Sequence, residues 1–253
     1  MNKIKITIIT AVKNGYPFIK SCTKSFDEQT YSNKEQIFVY AKSADKTLNY
    51  LINHCKSKNK KIIYDNFSKN MYGAINIGIK RASGEIIGVL HADDIFYDNK
   101  VLENVAREFK KGIELVYGNI IFVEKNNINK VLRVWRDKDF KKIMLYGGWM
   151  PAHTSVFIKK RILTLNKYSN KYKIASDYDL MLSLFKNNIK SKFINKFFCK
   201  MRLGGKSTNY KYFFLKLFED IMILYKHFKI MFIFIFFLKR LHKIKQFKIL
   251  FIK

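Results

Sequence analysis

Residues 4–12, IKITIITAV, are apolar and β-branched and stop at Lys13-Asn14-Gly15, the pattern of a buried strand entering a turn. Residues 16–28 then carry Phe18, Ile19, Cys22 and Phe26 at helical spacing. The alternation repeats. EQIFVY at 35–40 predicts a second strand, and Leu48, Leu51, Ile52 and Cys55 predict one face of a helix over 45–56, with Asp45 or Thr47 as its cap. KIIY at 61–64 predicts a third strand and 71–82 a helix stopped by Ser83-Gly84. EIIGVL at 85–90 predicts a fourth strand that runs straight into His91-Ala92-Asp93-Asp94. Beyond Asp94 the pattern loosens into a helix at 100–110, one or two strands at 114–123, a strand at 154–158, a helix at 176–186 and an extended stretch at 192–201.

Strands alternating with helices imply βαβ units, hence an α/β fold with a mostly parallel central sheet flanked by helices. Ligands in such sheets sit beyond the carboxyl ends of the strands. Three polar clusters fall at such ends: Thr10 to Asn14, Ala41 to Asp45, and His91 to Asp94. The 253 residues suffice for one core, or a core with a small appendage, and the two prolines rule out a proline-rich linker.

The residue types at these ends narrow the chemistry. Asp93-Asp94 directly follow a buried strand, where two carboxylates repel and lose solvent. A hard oxygen-seeking cation such as Mg²⁺ or Mn²⁺ would relieve this, and a plain turn or cap is the other reading. Asp177 and Asp179 open the 176–186 helix, so one of them is either a cap or a general base toward a hydroxyl. His153 stands at a strand entry. Gly204-Gly205-Lys206-Ser207 reads as a turn or as a loop that lets backbone N–H groups face a phosphate. Neither GxxxxGK[ST] nor GxGxxG occurs, so P-loop and dinucleotide-binding readings have no support. The three cysteines are widely spaced with no CxxC pair, which argues against a zinc site and fits a reducing cytoplasm. The run up to Val12 reads as a first strand rather than a signal peptide.

Charge changes the picture mainly at the C-terminus. The 49 Lys+Arg against 19 Asp+Glu give a formal charge of +30, which attracts polyanions. No Asp or Glu follows Asp220, while lysines flank the apolar run Ile230 to Leu238. That run is shorter than the roughly 20 residues a bilayer requires. It predicts a basic amphipathic tail that lies on an anionic membrane, the other reading being a terminal helix packed on the domain. No nucleic-acid reader motif is present, so nucleic acid is not an expected partner.

Taken in order, IKITIITAVKNG, SADKT at 43–47, MYGAINIGIKRASGEIIGVLHADD at 71–94, VYGN at 116–119, HTSVFIKK at 153–160, ASDYDL at 175–180 and GGKS at 204–207 resemble the inverting family 2 glycosyltransferases. The stretch Asn76-x-Gly78, Ala82-x-Gly84-x-Ile86, Ala92-Asp93-Asp94 is the most specific. The resemblance is to bacterial polysaccharide, O-antigen and capsule enzymes. It implies the GT-A fold over residues 1–208, with 209–253 as the basic tail. It implies transfer of a sugar from a nucleotide-diphosphate donor to a glycan or lipid-linked acceptor, with inversion, using Mn²⁺ or Mg²⁺. It makes Asp94 the metal ligand, Asp93 a contact of the donor's ribose or sugar, and Asp177 the base. Thr10, Val12, Asn14, Tyr40 and Asp45 join Asp93 as donor contacts. Many relatives carry Asp-Gly where this chain has Tyr40-Ala41, and Ser-Glu-Pro-Asp-Lys-Gly where it has Asp65 to Asn70. The nucleobase is therefore left open, and Tyr40 becomes a candidate to stack on it. A degenerate relative that binds without turnover is the alternative. The implied location is the cytoplasmic face of the plasma membrane.

Overall fold

The computed structural model describes residues 3–55, 57–109, 112–204 and 212–248, with the side chains of 242–248 outside the description. Gly205, Lys206 and Ser207 of the expected phosphate-approaching loop, and the expected domain boundary at 208, lie outside the described residues.

The first half follows the predicted alternation: β1 (Ile6–Val12), α1 (Ile19–Asp27), β2 (Lys34–Tyr40), α2 (Thr47–His54), β3 (Lys60–Tyr64), α3 (Met71–Arg81) and β4 (Ile86–Val89). After it come β5 (Ile95–Phe96), α4 (Val101–Phe109), β6 (Leu115–Val123), β7 (Val131–Trp135), β8 (Phe157–Lys159), α5 (Lys160–Leu165), α6 (Ser176–Lys186), β9 (Ser191–Arg202), α7 (Phe213–Phe228) and α8 (Phe232–Lys248). The strands form one sheet in the order β3-β2-β1-β4-β8-β6-β9-β5, with β7 on β6. The β3-β2-β1-β4 half is parallel, with Ile9 opposite Ile37 and Val89. Beyond β4 the sheet is mixed, because β8 runs antiparallel to both β4 and β6. The strand expected at 154–158 starts later. Ser155 hydroxyl and N–H both bond the Ala152 carbonyl (2.8 and 2.9 Å), winding 153–155 into a 3-10 turn.

Each face of the sheet is covered. Ile9, Ile87 and Val89 face α3 and α6, whereas Ile6, Ile8, Val12 and Leu90 face α1, α2 and α4. Gly78 lets α3 lie close on β1, since a Cβ there would fall 2.6 Å from Ile9 Cγ2.

The tail packs into the first of these layers. Ile223 and Leu224 of α7 and Ile235 of α8 are fully buried in the same cluster as Ile9 and Leu182. Asp220 of α7 accepts from Lys239 (2.9 Å) and Arg240 (2.7 Å) of α8, and the Lys239 ammonium lies 3.1 Å from the ring centre of Tyr178. Gly148, at φ +69°, admits Lys239: a Cβ there would meet the Lys239 side chain at 2.5 Å. The stretch Phe213–Leu241 is long and apolar enough to cross a membrane, longer than the run at 230–238 considered alone. The chain breaks within it at Lys229, whose φ is +50°, and α7 and α8 fold against each other through Tyr225 and Phe232.

Candidate active site

β4 delivers its last residues to the carboxyl edge of the sheet, where a turn closed by the Asp94 N–H on the His91 carbonyl (3.0 Å) separates neighbouring side chains. Asp93 is half-buried, whereas Asp94 is 1% exposed. Asp94 Oδ1 accepts from the Arg202 N–H (3.2 Å), and its charge acts on the buried thiols of Cys22 and Cys199. Burial, reinforced by the charge of Asp93, pushes the Asp94 carboxyl well above the usual range despite Arg202. Its Oδ2 is buried without a hydrogen-bond partner. Asp93 acts on both neighbours: its charge bears on Asp94 and, with that of Asp177, on His91.

Arg202, at the end of β9, locks this turn. Its guanidinium donates to the carbonyls of Asp93 and Lys125 and to Ser21 Oγ, and its centre lies 5.0 Å from the ring centre of Phe18.

Asp177 sits in the first turn of α6, half-buried, and its Oδ1 accepts from the Tyr72 hydroxyl at 2.9 Å. Tyr72 on α3 stacks on Tyr168 (5.7 Å between centres), and the Tyr168 hydroxyl meets His153 Nε2 at 2.8 Å. His153 lies 5.9 Å from His91, ring centre to ring centre. A continuous wall therefore runs from Asp177 through Tyr72, Tyr168 and His153 to His91, beside Asp93. Asn76 fixes its middle by bonding both the N–H (3.1 Å) and the carbonyl (2.8 Å) of Tyr168. Burial keeps the Tyr72 hydroxyl protonated, raising it well above its ordinary value with the Asp177 charge adding to the effect.

Asp179 is engaged elsewhere. Lys226 (2.8 and 2.9 Å) and His227 (2.7 Å) of α7 grip it. Burial opposes ionisation there, but the hydrogen bonds from His227 and Lys226 outweigh it and hold the carboxyl below its ordinary value. Of the two acids opening α6, Asp177 is the one facing the wall.

Burial pushes His153 down to about 4 from an ordinary 6.5. The folded chain thus refuses a proton that the unfolded chain accepts. Stability from this group is complete above about pH 6.5 and is lost as pH falls toward 4, a loss on the order of 3 kcal/mol. Urea denaturation at stepped pH is expected to show that slope for wild type and to lose most of it in His153→Gln. Glu35, gripped by Thr7, Ser83, Lys5 and Lys61 and held at about 2 despite its burial, adds acid sensitivity only below about 4.5.

The first two strand ends meet differently from expectation. Asn14, at φ +53°, accepts from the Ala44 N–H (2.8 Å) and donates its own N–H to Ser43 Oγ (2.9 Å). Asp45 accepts from the Thr47 hydroxyl and from the N–H groups of Thr47 and Tyr16, both at 3.0 Å; against the cost of burial, these bonds, the hydroxyl's first, hold its carboxyl below the usual value. Asn14 and Asp45 thus staple the β1 and β2 loops together. Thr10 is wholly buried and bonded by Gln36 (3.1 Å), and Val12 lies in the layer under α1. Both residues are enclosed, backbone included. Tyr40, the residue expected to stack on the base, is 6% exposed and set edge-on to Tyr64, and its hydroxyl accepts from the Ser43 N–H (3.0 Å). Tyr64, one strand further out, is 58% exposed.

A family model described as Glycosyl transferase family 2 matches residues 7–165, which contain β1 to β4, the Asp93-Asp94 turn and His153. The chain belongs to glycosyl transferase family 2. In this family member, 28% identity over 210 residues links it to the Escherichia coli UDP-Glc:alpha-D-GlcNAc-diphosphoundecaprenol beta-1,3-glucosyltransferase WfgD, covering 83% of this chain and 81% of WfgD. An uncharacterized glycosyltransferase of Methanocaldococcus jannaschii is 27% identical, over 82% of this chain and 74% of that protein. Two solved structures share the GT-A fold at low identity. S. aureus TarS 1-349 in complex with UDP-GlcNAc matches at TM-score 0.70 and 14% identity, over 89% of this chain and 68% of the other. The Pyrobaculum calidifontis mannosyltransferase PcManGT in complex with GDP-Man and Mn²⁺ matches at TM-score 0.69 and 15% identity, over 94% and 70%.

Proposed function

We propose that this glycosyltransferase moves a sugar from a nucleotide-diphosphate donor to a hydroxyl of a glycan or lipid-linked acceptor, with inversion. The observation that carries the reading is Asp177, half-buried and oriented by Tyr72, on the same wall as Asp93. Asp177 takes the proton of the acceptor hydroxyl as its oxygen bonds to the anomeric carbon. The bond from that carbon to the diphosphate breaks on the opposite face, so the configuration inverts. Holding both substrates in one cleft lowers the barrier by removing their freedom beforehand.

The strand-end carboxylates fit a hard divalent cation. They supply oxygen donors only, and Asp94 Oδ2 is buried with no hydrogen-bond partner. Among the described residues no three His, Cys, Asp or Glu side chains form a complete metal cluster, so further ligands must come from the donor or from water. Asp93, the more accessible of the pair, and Asp94 beneath it would hold Mn²⁺ or Mg²⁺. When bound, the ion would supply positive charge against the leaving diphosphate.

Thermal shift with UDP, GDP, dTDP and CMP, with and without Mn²⁺, tests the reading. A donor-class nucleotide at a hundred times its Kd adds about 2.7 kcal/mol, which in a chain of this size moves Tm by roughly 5–10 °C. The shift is expected to require Mn²⁺ and to vanish in Asp93→Asn. A shift without any turnover would favour a non-catalytic binder, and no shift with any nucleotide would defeat both.

The tail supports a lipid-side reading of the acceptor, the WfgD name describing a diphosphoundecaprenol-linked one. Its buried edge packs on the domain while Phe214, Phe218, Ile233, Phe234 and Phe237 are more than half exposed, beside basic residues. We read this surface as lying on the anionic cytoplasmic face of the plasma membrane. Co-sedimentation with anionic vesicles is expected for the full chain. Serine at Phe214, Phe218, Phe234 and Phe237 together should weaken it by at least about 10²-fold, given about 1.5–3 kcal/mol per fully buried side chain. Equal binding by that variant would sink the lipid reading.

A further inference from the structure

Helix α6 carries Asp177 yet has no side-chain cap of its own, since Ala175 occupies the capping position. Its entry is held from another helix. Glu219 of α7, 4% exposed, accepts three successive backbone N–H groups, from Lys173 (2.7 Å), Ile174 (2.9 Å) and Ala175 (2.9 Å). A buried carboxylate filling three main-chain donors is strongly bound and also places negative charge at the start of α6, where the helix dipole favours it.

The last of these three peptides, Ile174–Ala175, leads to the base. While its N–H, that of Ala175, donates to Glu219, its carbonyl, that of Ile174, accepts from the Tyr72 hydroxyl at 2.6 Å. That same hydroxyl lies 2.9 Å from Asp177 Oδ1. Tyr72 has one proton for two acceptors, so the position of the Ile174 carbonyl sets how that proton is shared with Asp177. Glu219, Ile174, Tyr72 and Asp177 form one chain of contacts.

The geometry points to Glu219 as a positioning residue for the transfer reaction, one that orients Asp177 through the Ile174 peptide and Tyr72. This rests on the reading of Asp177 as the base. It also gives the C-terminal hairpin a part in the chemistry. α7 presents Phe214 and Phe218 outward and Glu219 inward, so the element offered to lipid is the one that holds the entry of the base-bearing helix.

The test uses the full chain with its identified donor. Glu219→Gln, which keeps one acceptor oxygen, is expected to lower kcat about tenfold, and Glu219→Ala about 10²-fold, with donor KM unchanged in both. Asp220→Asn removes the neighbouring anchor of the same helix and is the control for mere loosening of α7. It should lower Tm and leave kcat near wild type. Tyr72→Phe combined with Glu219→Gln should be no slower than Tyr72→Phe alone, because both act through one contact. Hydrogen exchange supplies a readout apart from activity: the amides of 173–175 should lose protection in Glu219→Ala and keep it in Asp220→Asn. Wild-type kcat in Glu219→Ala, a matching loss in Asp220→Asn, or additive losses in the double variant would overturn the inference while leaving the transferase reading intact. A wild-type chain that turns over no donor, with the exchange result unchanged, would instead overturn the transferase reading and the catalytic role of Glu219 with it.

Discussion

Asp177→Asn is expected to leave the chain folded and able to bind donor while turnover falls by about 10²–10⁴-fold, the range for loss of a positioned general base. Asparagine matches aspartate in shape, and its side-chain oxygen can still accept from the Tyr72 hydroxyl, now 2.9 Å from Asp177. Its amide cannot take a proton from an acceptor hydroxyl. The loss should therefore appear in kcat at saturating donor, with the nucleotide-dependent thermal shift preserved. Asp179→Asn should separate the two acids. Asp179 is tied to Lys226 and His227, so its replacement should cost stability rather than the chemical step. A loss under tenfold in Asp177→Asn would remove this residue from the base role.

Arg202→Ala should show the largest stability loss. Arg202 is 9% exposed, and its side chain joins the Asp93 carbonyl, the Lys125 carbonyl and Ser21 while offsetting the buried Asp94 carboxylate. Alanine removes the charged donor from the Asp93 and Lys125 carbonyls and from Ser21 together, and since hydrogen bonds to a charged group contribute about 1.5–3 kcal/mol each, a loss of about 3–5 kcal/mol is expected. For a chain of this length Tm should then fall by roughly 6–20 °C. The turn that presents Asp93 would lose its clamp, so the Mn²⁺-dependent nucleotide shift should vanish as well. Arg202→Lys should rescue little, since an ammonium cannot reach three acceptors in the planar fork that guanidinium offers. A melting curve and a nucleotide titration on the two variants decide it. Unchanged Tm in Arg202→Ala would show that the turn is held by other means.

Much of the site's placement was legible in the residues. Apolar runs of strand length ending in Lys13-Asn14, Ala41 to Asp45 and His91 to Asp94 put three polar clusters at one edge of a parallel sheet, and β1, β2 and β4 end there. Residues 176–186 form a helix with the expected bounds, with Asp177 in its first turn. The resemblance stretch from Asn76 to Asp94 now has local reasons: Asn76 clamps Tyr168, and Gly78 admits Ile9.

What the residues alone determined is the order of elements and which positions reach the sheet's carboxyl edge, because periodicity of side chains is a property of the local backbone. Tertiary packing decided the rest. Asp93 and Asp94 are adjacent aspartates in the sequence, yet Asp93 is half-buried and Asp94 almost wholly buried, because the turn closed on His91 seats Asp94 beneath Asp93. Tyr40 is closed off by Tyr64 from the neighbouring strand. His153, which the sequence places only at a strand entry, joins the wall through Tyr168, fifteen residues away. Glu219 reaches the entry of α6 across more than forty residues. Such contacts follow from how helices seat on the sheet, and no local pattern encodes them. The tail shows the same division: its composition marks it as basic and apolar, and only the packing separates the edge buried on α6 from the face left open.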